Sequence, residues 1–451
     1  MAPQKKRGKE RICFMSESEE SDLDDIETGV TETSSQSTCC IYRLPETLVE
    51  INDKKWFLPR VVSIGPYHRH EPRLEAIQKH KRHFHRLFLS RANKQKEDLM
   101  EIVRPLEAKA KGYYSEKIRF SNCTPEGKNP FLEMMILDGC FILELFRMLE
   151  KPRLPESNDP LTPVAWAVPH FYGDLLLLEN QIPFFVLEKL FETSRKPHEK
   201  DSLSMLALRF FNKAMQKPAM EKLSKRSGKL SDDILHLLDL VRKTFITPDL
   251  DEPPKNEGKS GTPVIYCISK LLKAGIKIKL READSFLAVK FKKGVIEMPK
   301  ITLDYFMKSF LVNCRAFEQL QNRRSKHITV YAYFLDCLVN TAKDVEYLYE
   351  RKIIDGYLGK NGEAVLFINK LGKENDVETD QFYLSKFFND VNDHYKNTCN
   401  VQLTGFKHRY FNTPWSCISA SAAFVLLVLT FLQTYYTIYA YVHPKVVRVL
   451  D

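Results

Sequence analysis

Residues Asn129–Glu150 read NPFLEMMILDGCFILELFRMLE. Met135, Ile142, Leu145 and Leu149 form one apolar stripe at helical spacing. Leu137, Cys140, Phe141 and Met148 form another on a different face. A surface helix carries a single stripe, so a helix that is apolar nearly all round belongs inside a core. A second oily stretch, Gly173–Glu192, GDLLLLENQIPFFVLEKLFE, is its natural packing partner. There Leu175–Leu178 run into Glu179, Asn180 and Gln181, followed by Pro183 and Phe184–Leu187. Proline loses a backbone hydrogen bond inside a helix but is tolerated in a first turn. The pattern therefore predicts helix, polar break, helix, with Asn180 as the second N-cap. Together the two stretches predict a mainly α body.

The polar residues in this apolar setting are the candidate site. Asp138 falls on the Met135/Ile142/Leu145 stripe and Glu144 on the other face. A buried carboxylate without a partner is costly, so each must be paired or hydrogen-bonded. A structural polar network of Asp138, Glu144, Arg147, Glu179, Asn180 and Gln181 is expected. Glu144 can pair with Arg147 one turn on. Asp138 has no partner on its own helix, and Asp174 or Glu179 could join it. Such a carboxylate pair also suits acid/base chemistry. An enzyme site near Asp138, Glu179 and Asn180 is thus the alternative to a structural network.

Working outward, residues 1–38 form an acidic, serine-rich tail, too poor in apolar side chains to fold. Ser16, Ser18 and Ser21 stand among its acidic residues. Order is expected from Cys39, with a helical core region over 39–246. A basic helix starts near Arg73; Leu74, Ile77, Phe84, Leu87 and Phe88 mark its apolar face, and Lys79, Lys81, Arg82 and Arg86 surround it. Further helices are expected at Ser202–Met215 and Ser231–Thr244, the latter capped by Ser231. Residues 247–263 read as a linker. In 264–404 the texture changes to a small sheet plus helices. Strands are predicted at Ile276–Lys279, Phe286–Phe291 and Gly294–Met298. Helices follow at Leu303–Leu320, Ile328–Thr341, Asp344–Arg351, Gly362–Leu371 and Thr379–Asn400.

A basic juxtamembrane segment, 405–414, leads into the longest uncharged run in the chain. From Cys417 to Val442 no residue is charged, and about 25 apolar residues suffice to cross a bilayer. Trp415 at one end, with Tyr439 and Tyr441 at the other, stand where interfacial aromatics stand. A transmembrane helix over 415–442 with a short tail, 443–451, is predicted. The start, MAPQKKRGKERICF, has no apolar run after its basic residues, so it does not read as a secretory signal. This favours a C-terminal anchor with the body in the cytosol, in the plasma membrane or an endomembrane. The sequon at Asn122 would be used only if the body were lumenal.

Composition narrows the chemistry. The 451 residues are 43% hydrophobic and carry a net charge of +10, a modest bias that suits nucleic acid or an anionic membrane face. With an anchor in the chain, lipid or protein partners outrank nucleic acid. The ten cysteines include no CxxC pair and read as reduced thiols. His80 and His83 lie one turn apart, but without an acidic partner they read as part of a solvated basic helix rather than a metal site. No Gly-rich phosphate loop, GxSxG or HExxH pattern is present. No cofactor is expected.

Several stretches taken together are similar to a known family. They include IYRLPETLVEIN, LPRVVSIGPYH, HKRHF, ILDGCFILELFR, DLLLLENQIPFFVLEKLF, HLLDLVRKTF, KAGIKIKL, KKGVIEMPKITLD, RAFEQ and TPWSCISASAAFVLLVLTFLQTYY. In order and spacing they resemble the plant family called domain of unknown function 247, also known as uncharacterised protein family 0481, from about Cys39 onward. DGCF, ENQIPFF and the PWS-led apolar helix are the specific elements. The segment PVIYCISKLLKAG around Cys267 departs from the family pattern. The resemblance implies a single-pass membrane protein without established catalytic residues, and some members are implicated in self-recognition between pollen and stigma in grasses. A non-catalytic module for protein interaction, recognition or signalling is the expected function.

Overall fold

The computed structural model describes residues 39–118, 129–150, 162–215, 234–250, 264–321, 325–356, 361–373, 382–396 and 414–443. They form two compact units. The first contains the described residues up to Thr244 together with those from Phe306 to Gln321. The second contains the remainder. In chain order the first half carries α1 (Glu46–Asn52), α2 (Glu75–Ala92), α3 (Lys96–Val103), α4 (Glu107–Lys111), α5 (Pro130–Glu150), α6 (Val168–Asp174), α7 (Phe184–Ser194), α8 (Leu203–Met215) and α9 (Leu237–Lys243). Then come α10 (Ile268–Lys273), β1 (Lys277–Arg281), β2 (Lys290–Lys292), β3 (Val295–Pro299), β4 (Ile301–Thr302) and α11 (Tyr305–Leu320). They are followed by α12 (His327–Leu338), α13 (Ala342–Glu350), β5 (Ile354–Asp355), α14 (Asn361–Gly372), α15 (Ser385–Lys396) and α16 (Pro414–Val442). The fold is mainly α with a small mixed sheet, as the sequence pattern predicts.

In the first unit α5 is the axis, packed by α2, α3, α7 and α8. From Phe131 to Met148 every residue is buried except Glu133 and Leu137, which is what two apolar stripes on one helix require. Gly139 lets α7 come close, because a Cβ there would collide with the Leu190 side chain. The second stretch differs from expectation. Leu175–Leu178 lie in turns, not in a helix, and α7 starts at Phe184 with Pro183 rather than Asn180 in the N-cap position. The cause is the side chains of Asn180 and Gln181, which bond the carbonyls of Asp174, Leu175 and Leu177 at 2.8 Å. They satisfy carbonyls that a continuing helix would have used. The expected cap Ser231 lies outside the described residues; α9 begins at Leu237, and His236 accepts from the Asp239 N–H.

Residues 306–321, which the sequence pattern groups with 264–404, belong to the first unit. On α11 the Asn313 carboxamide accepts from Leu178 N–H at 2.9 Å and donates to the Trp56 carbonyl at 2.9 Å. Glu318 accepts from buried Arg242 at 2.7 Å.

The second unit holds a three-stranded sheet ordered β1-β3-β2. Strand β3 pairs in parallel with β1, Ile278 opposite Ile296, and antiparallel with β2, Phe291 opposite Ile296. The hairpin between β2 and β3 turns on Lys293 and Gly294, both at positive φ (48° and 77°), the two-residue geometry that suits strand twist. The predicted strand Phe286–Phe291 shortens to Lys290–Lys292, because Ser285 Oγ accepts the Leu287 N–H and turns the chain there. A separate pair, β4 and β5, aligns Ile301 with Ile354 in parallel. The helix expected at Thr379–Asn400 is seen as Ser385–Lys396, and its predicted ends lie outside the described residues. Helix α16 is different in kind. Its stretch Ile418–Tyr439 is long and apolar enough to cross a membrane, and none of it is buried.

Candidate functional site

The segment Arg60–Gly65, RVVSIG, has neither helix nor strand, yet Val61–Gly65 are buried. A buried backbone must find hydrogen-bond partners, and here side chains from elsewhere supply them. Asp174, at the end of α6, accepts from the N–H groups of Arg60, Val61 and Val62 at 2.9, 2.7 and 3.0 Å. Asn180 accepts from Ile64 N–H at 2.7 Å and donates to the Val62 carbonyl at 3.0 Å. Asp138, from α5, accepts from Gly65 N–H at 2.8 Å. Its other oxygen lies 2.5 Å from Lys81 Nζ, which also donates to the Ser63 carbonyl. Gly65 adopts φ +71°, and a Cβ there would stand 2.5 Å from the Gln181 carbonyl oxygen, so no other residue fits without strain.

Lys81 is the residue that sequence reasoning placed wrongly. It is fully buried, not part of the solvated basic surface. Its position carried the signal: Ile77, Phe84 and Phe88 stand four before, three after and seven after it, on one buried helix face. Burial outweighs the attraction of Asp138 and holds the Lys81 ammonium below its ordinary value. Burial also raises the Asp174 carboxyl, against the pull of its three backbone N–H partners.

Glu179 has a separate set of partners. One oxygen accepts from Leu44 N–H at 2.7 Å; the other lies 3.0 Å from His68 Nε2 and 3.6 Å from Arg43 Nη1. Asp138, Asp174 and Glu179 thus each bind their own groups and do not form a carboxylate pair. Gln181 closes the loop, donating to Leu175 and Leu177 and accepting from Leu238 N–H at 3.3 Å. Its carbonyl takes the buried Tyr114 hydroxyl at 3.1 Å, a partner 67 residues away that no local pattern announces.

Glu144 and Arg147 bond at 3.0 Å on α5 as their spacing predicts, but at a different place. Arg91 donates to Glu144 at 2.9 Å, and Arg147 donates to Ser194 at 3.0 Å. The six expected residues therefore make two clusters. Asp138, Glu179 and Asn180 hold the 44–65 region, Gln181 closes the turn beside them, and Glu144 with Arg147 ties α5 to α2 and α7.

The Glu179 cluster has a pH signature. Burial raises its carboxyl, but the His68 imidazole, Leu44 N–H and Arg43 guanidinium together outweigh burial and hold the group below its ordinary 4.5. The folded protein then binds fewer protons than the unfolded chain in the window below 4.5. The resulting stabilisation is complete above that value and is lost as pH falls through the lower folded value. Urea unfolding of wild type and Glu179→Gln, from about pH 7 to about pH 3, is expected to show a stability gap that closes at the acid end. A gap of constant size would count against this origin.

Among the described residues no group of three His, Cys, Asp or Glu side chains is placed to hold a metal ion. A cavity of about 380 Å³ in the second unit is lined by Lys300, Tyr349, Glu350, Lys352, Ile354 and Asp355, none of them nominated by sequence. The sequon Asn122 lies outside the described residues. Trp415, Tyr439 and Tyr441 are exposed near the ends of α16.

The family model for DUF247, described as plant protein of unknown function, matches residues 41–429. The UPF0481 protein At3g47200 of Arabidopsis thaliana is 36% identical over 439 residues, covering 92% of this chain and 89% of that protein. A second Arabidopsis thaliana relative of the UPF0481 type, At3g02645, is 22% identical over 520 residues, covering 94% of this chain and 93% of its own length. No solved structure matches. The motifs that carry the resemblance include the α5 stretch with Asp138 and the ENQ turn that holds Arg60–Gly65, and the chain belongs to the DUF247 family of plant proteins.

Proposed function

We propose that the protein is a membrane-anchored, non-catalytic module that binds other proteins, with its body on the cytosolic face and α16 in the bilayer. The observation that carries this reading is the state of the central carboxylates. Both oxygens of Asp138, Asp174 and Glu179 are engaged by backbone N–H groups, by Lys81 or Arg43, or by the His68 imidazole, all of the same unit. A general acid or base must reach a substrate proton, and these groups are committed to holding a buried loop. The exposed apolar helix supports the anchor, and confinement to a surface raises the effective concentration for membrane partners. Lys79, Arg82 and Arg86 are exposed on α2 and offer a face to acidic proteins or anionic lipid head groups. Nucleic acid fits an anchored body less well.

Proximity labelling tests the reading. The full chain is expected to label a set of membrane-associated proteins that a chain ending at Pro414 loses. Identical neighbours for both chains would remove the anchor from the account. Glycan found on Asn122 of the full chain would overturn the cytosolic orientation.

A further inference from the structure

The membrane helix is not uniform around its circumference. Ser419, Ala423, Leu426, Thr430, Gln433 and Thr437 recur at alternating spacings of four and three, the 3.5-residue period of a coiled-coil seam. All but Leu426 are small or polar. The opposite face carries Val425, Val428, Phe431, Leu432, Tyr435 and Tyr439, the bulky side chains that suit lipid.

The threonine hydroxyls of this helix are already satisfied. Thr430 donates to the Leu426 carbonyl at 2.8 Å, Thr434 to Thr430 at 2.8 Å and Thr437 to Gln433 at 2.7 Å. They leave a surface of low relief, which lets a neighbouring backbone approach. Gln433 is the exception. Its side chain is exposed and has no hydrogen-bond partner among the described residues. It lies six residues inside Tyr439, the end of the apolar stretch, or about 9 Å along the axis. That is too deep for a glutamine side chain to reach water, and an unsatisfied amide in hydrocarbon is costly.

We infer that α16 pairs in the membrane with α16 of a second copy of this chain, through the Ser419–Thr437 seam and an amide–amide contact at Gln433. This rests on the reading of α16 as a membrane span. The amide favours a second copy because it is self-complementary. Each carboxamide has both a donor and an acceptor, so two parallel helices related by a two-fold axis exchange two hydrogen bonds at one level. A single polar residue in a seam also sets register.

The test uses the full chain, co-expressed with two different tags in one cell. Carbonate extraction of the membranes is read first. Tagged copies are then co-captured in mild detergent. Gln433→Leu is expected to lower co-capture about three- to tenfold, while Gln433→Asn, which keeps the amide, retains most of it. In intact membranes, oxidative cross-linking of Thr430→Cys or Thr437→Cys is expected to give at least about ten times more dimer than Val428→Cys or Tyr435→Cys, each against the parent chain. Release by carbonate would overturn the span and the pairing together. A carbonate-resistant chain overturns the pairing alone if Gln433→Leu leaves co-capture unchanged, if both faces cross-link equally, or if copies co-capture no better than an unrelated anchored protein.

Discussion

Asp138→Ala is expected to destabilise the first unit by about 3–5 kcal/mol, because it leaves the Lys81 ammonium buried without its counter-charge. That is a large part of the 5–15 kcal/mol that holds a typical domain together. Lys81 has no exposed surface and cannot turn outward to water. Its remaining acceptor is the Ser63 carbonyl, and Gly65 N–H loses its acceptor at the same time. Urea unfolding of the full chain in detergent, followed by far-UV circular dichroism, measures the loss. The companion variant Lys81→Met/Asp138→Leu removes both charges and should recover part of it, since an apolar pair of similar volume is often neutral. Recovery is incomplete because Ser63 and Gly65 still lack partners, at about 1–3 kcal/mol each. A single variant that lost under about 1 kcal/mol would show that the pair carries little of the packing. A single variant that folded fully and lost only its binding partners would instead count against a purely structural role for the pair.

The second large effect is expected at Glu318→Ala, also about 3–5 kcal/mol. Arg242 is buried against Glu318 at 2.7 Å, with Asp239 further off at 3.5 Å. Removing Glu318 takes away the close ion pair of this buried guanidinium, and Asp239 at 3.5 Å is a weaker substitute for it. The same contact ties α11 to α9, which lie on either side of the segment 247–263. Unfolding of the first unit is therefore expected to respond to a substitution more than seventy residues beyond Arg242. Hydrogen exchange by mass spectrometry reads this directly: α9 should lose protection in the variant. Protection lost only in α11 would argue that the helix is a dispensable addition.

Much of this architecture was legible. The α5 stretch announced its burial because two apolar stripes leave no solvent face, and Glu144 and Arg147 bond because one turn separates them. The uncharged run at the C-terminus specified a helix by length alone. The central turn was not legible in the same way. Four leucines read as helix by propensity, and the competing bonds come from Asn180 and Gln181, whose reach back to Asp174, Leu175 and Leu177 no periodicity encodes. Asp138 and Lys81 are 57 residues apart and become partners only once α2 lies on α5. The lysine itself could have been found, since a charge at a buried register position must have a counter-charge. The link between α9 and α11 lay hidden behind a proline-rich segment that reads as a boundary.

Placing α11 in the first unit also has a consequence for synthesis. About sixty residues separate Thr244 from Phe306, and at roughly 5–20 residues per second the ribosome needs several seconds to supply them. During that interval Arg242 has no Glu318 and Trp56 has no Asn313, so the nascent first unit waits as an incomplete core. A pause in translation between these two points would lengthen the exposure of that core, and one placed after Leu320 would not.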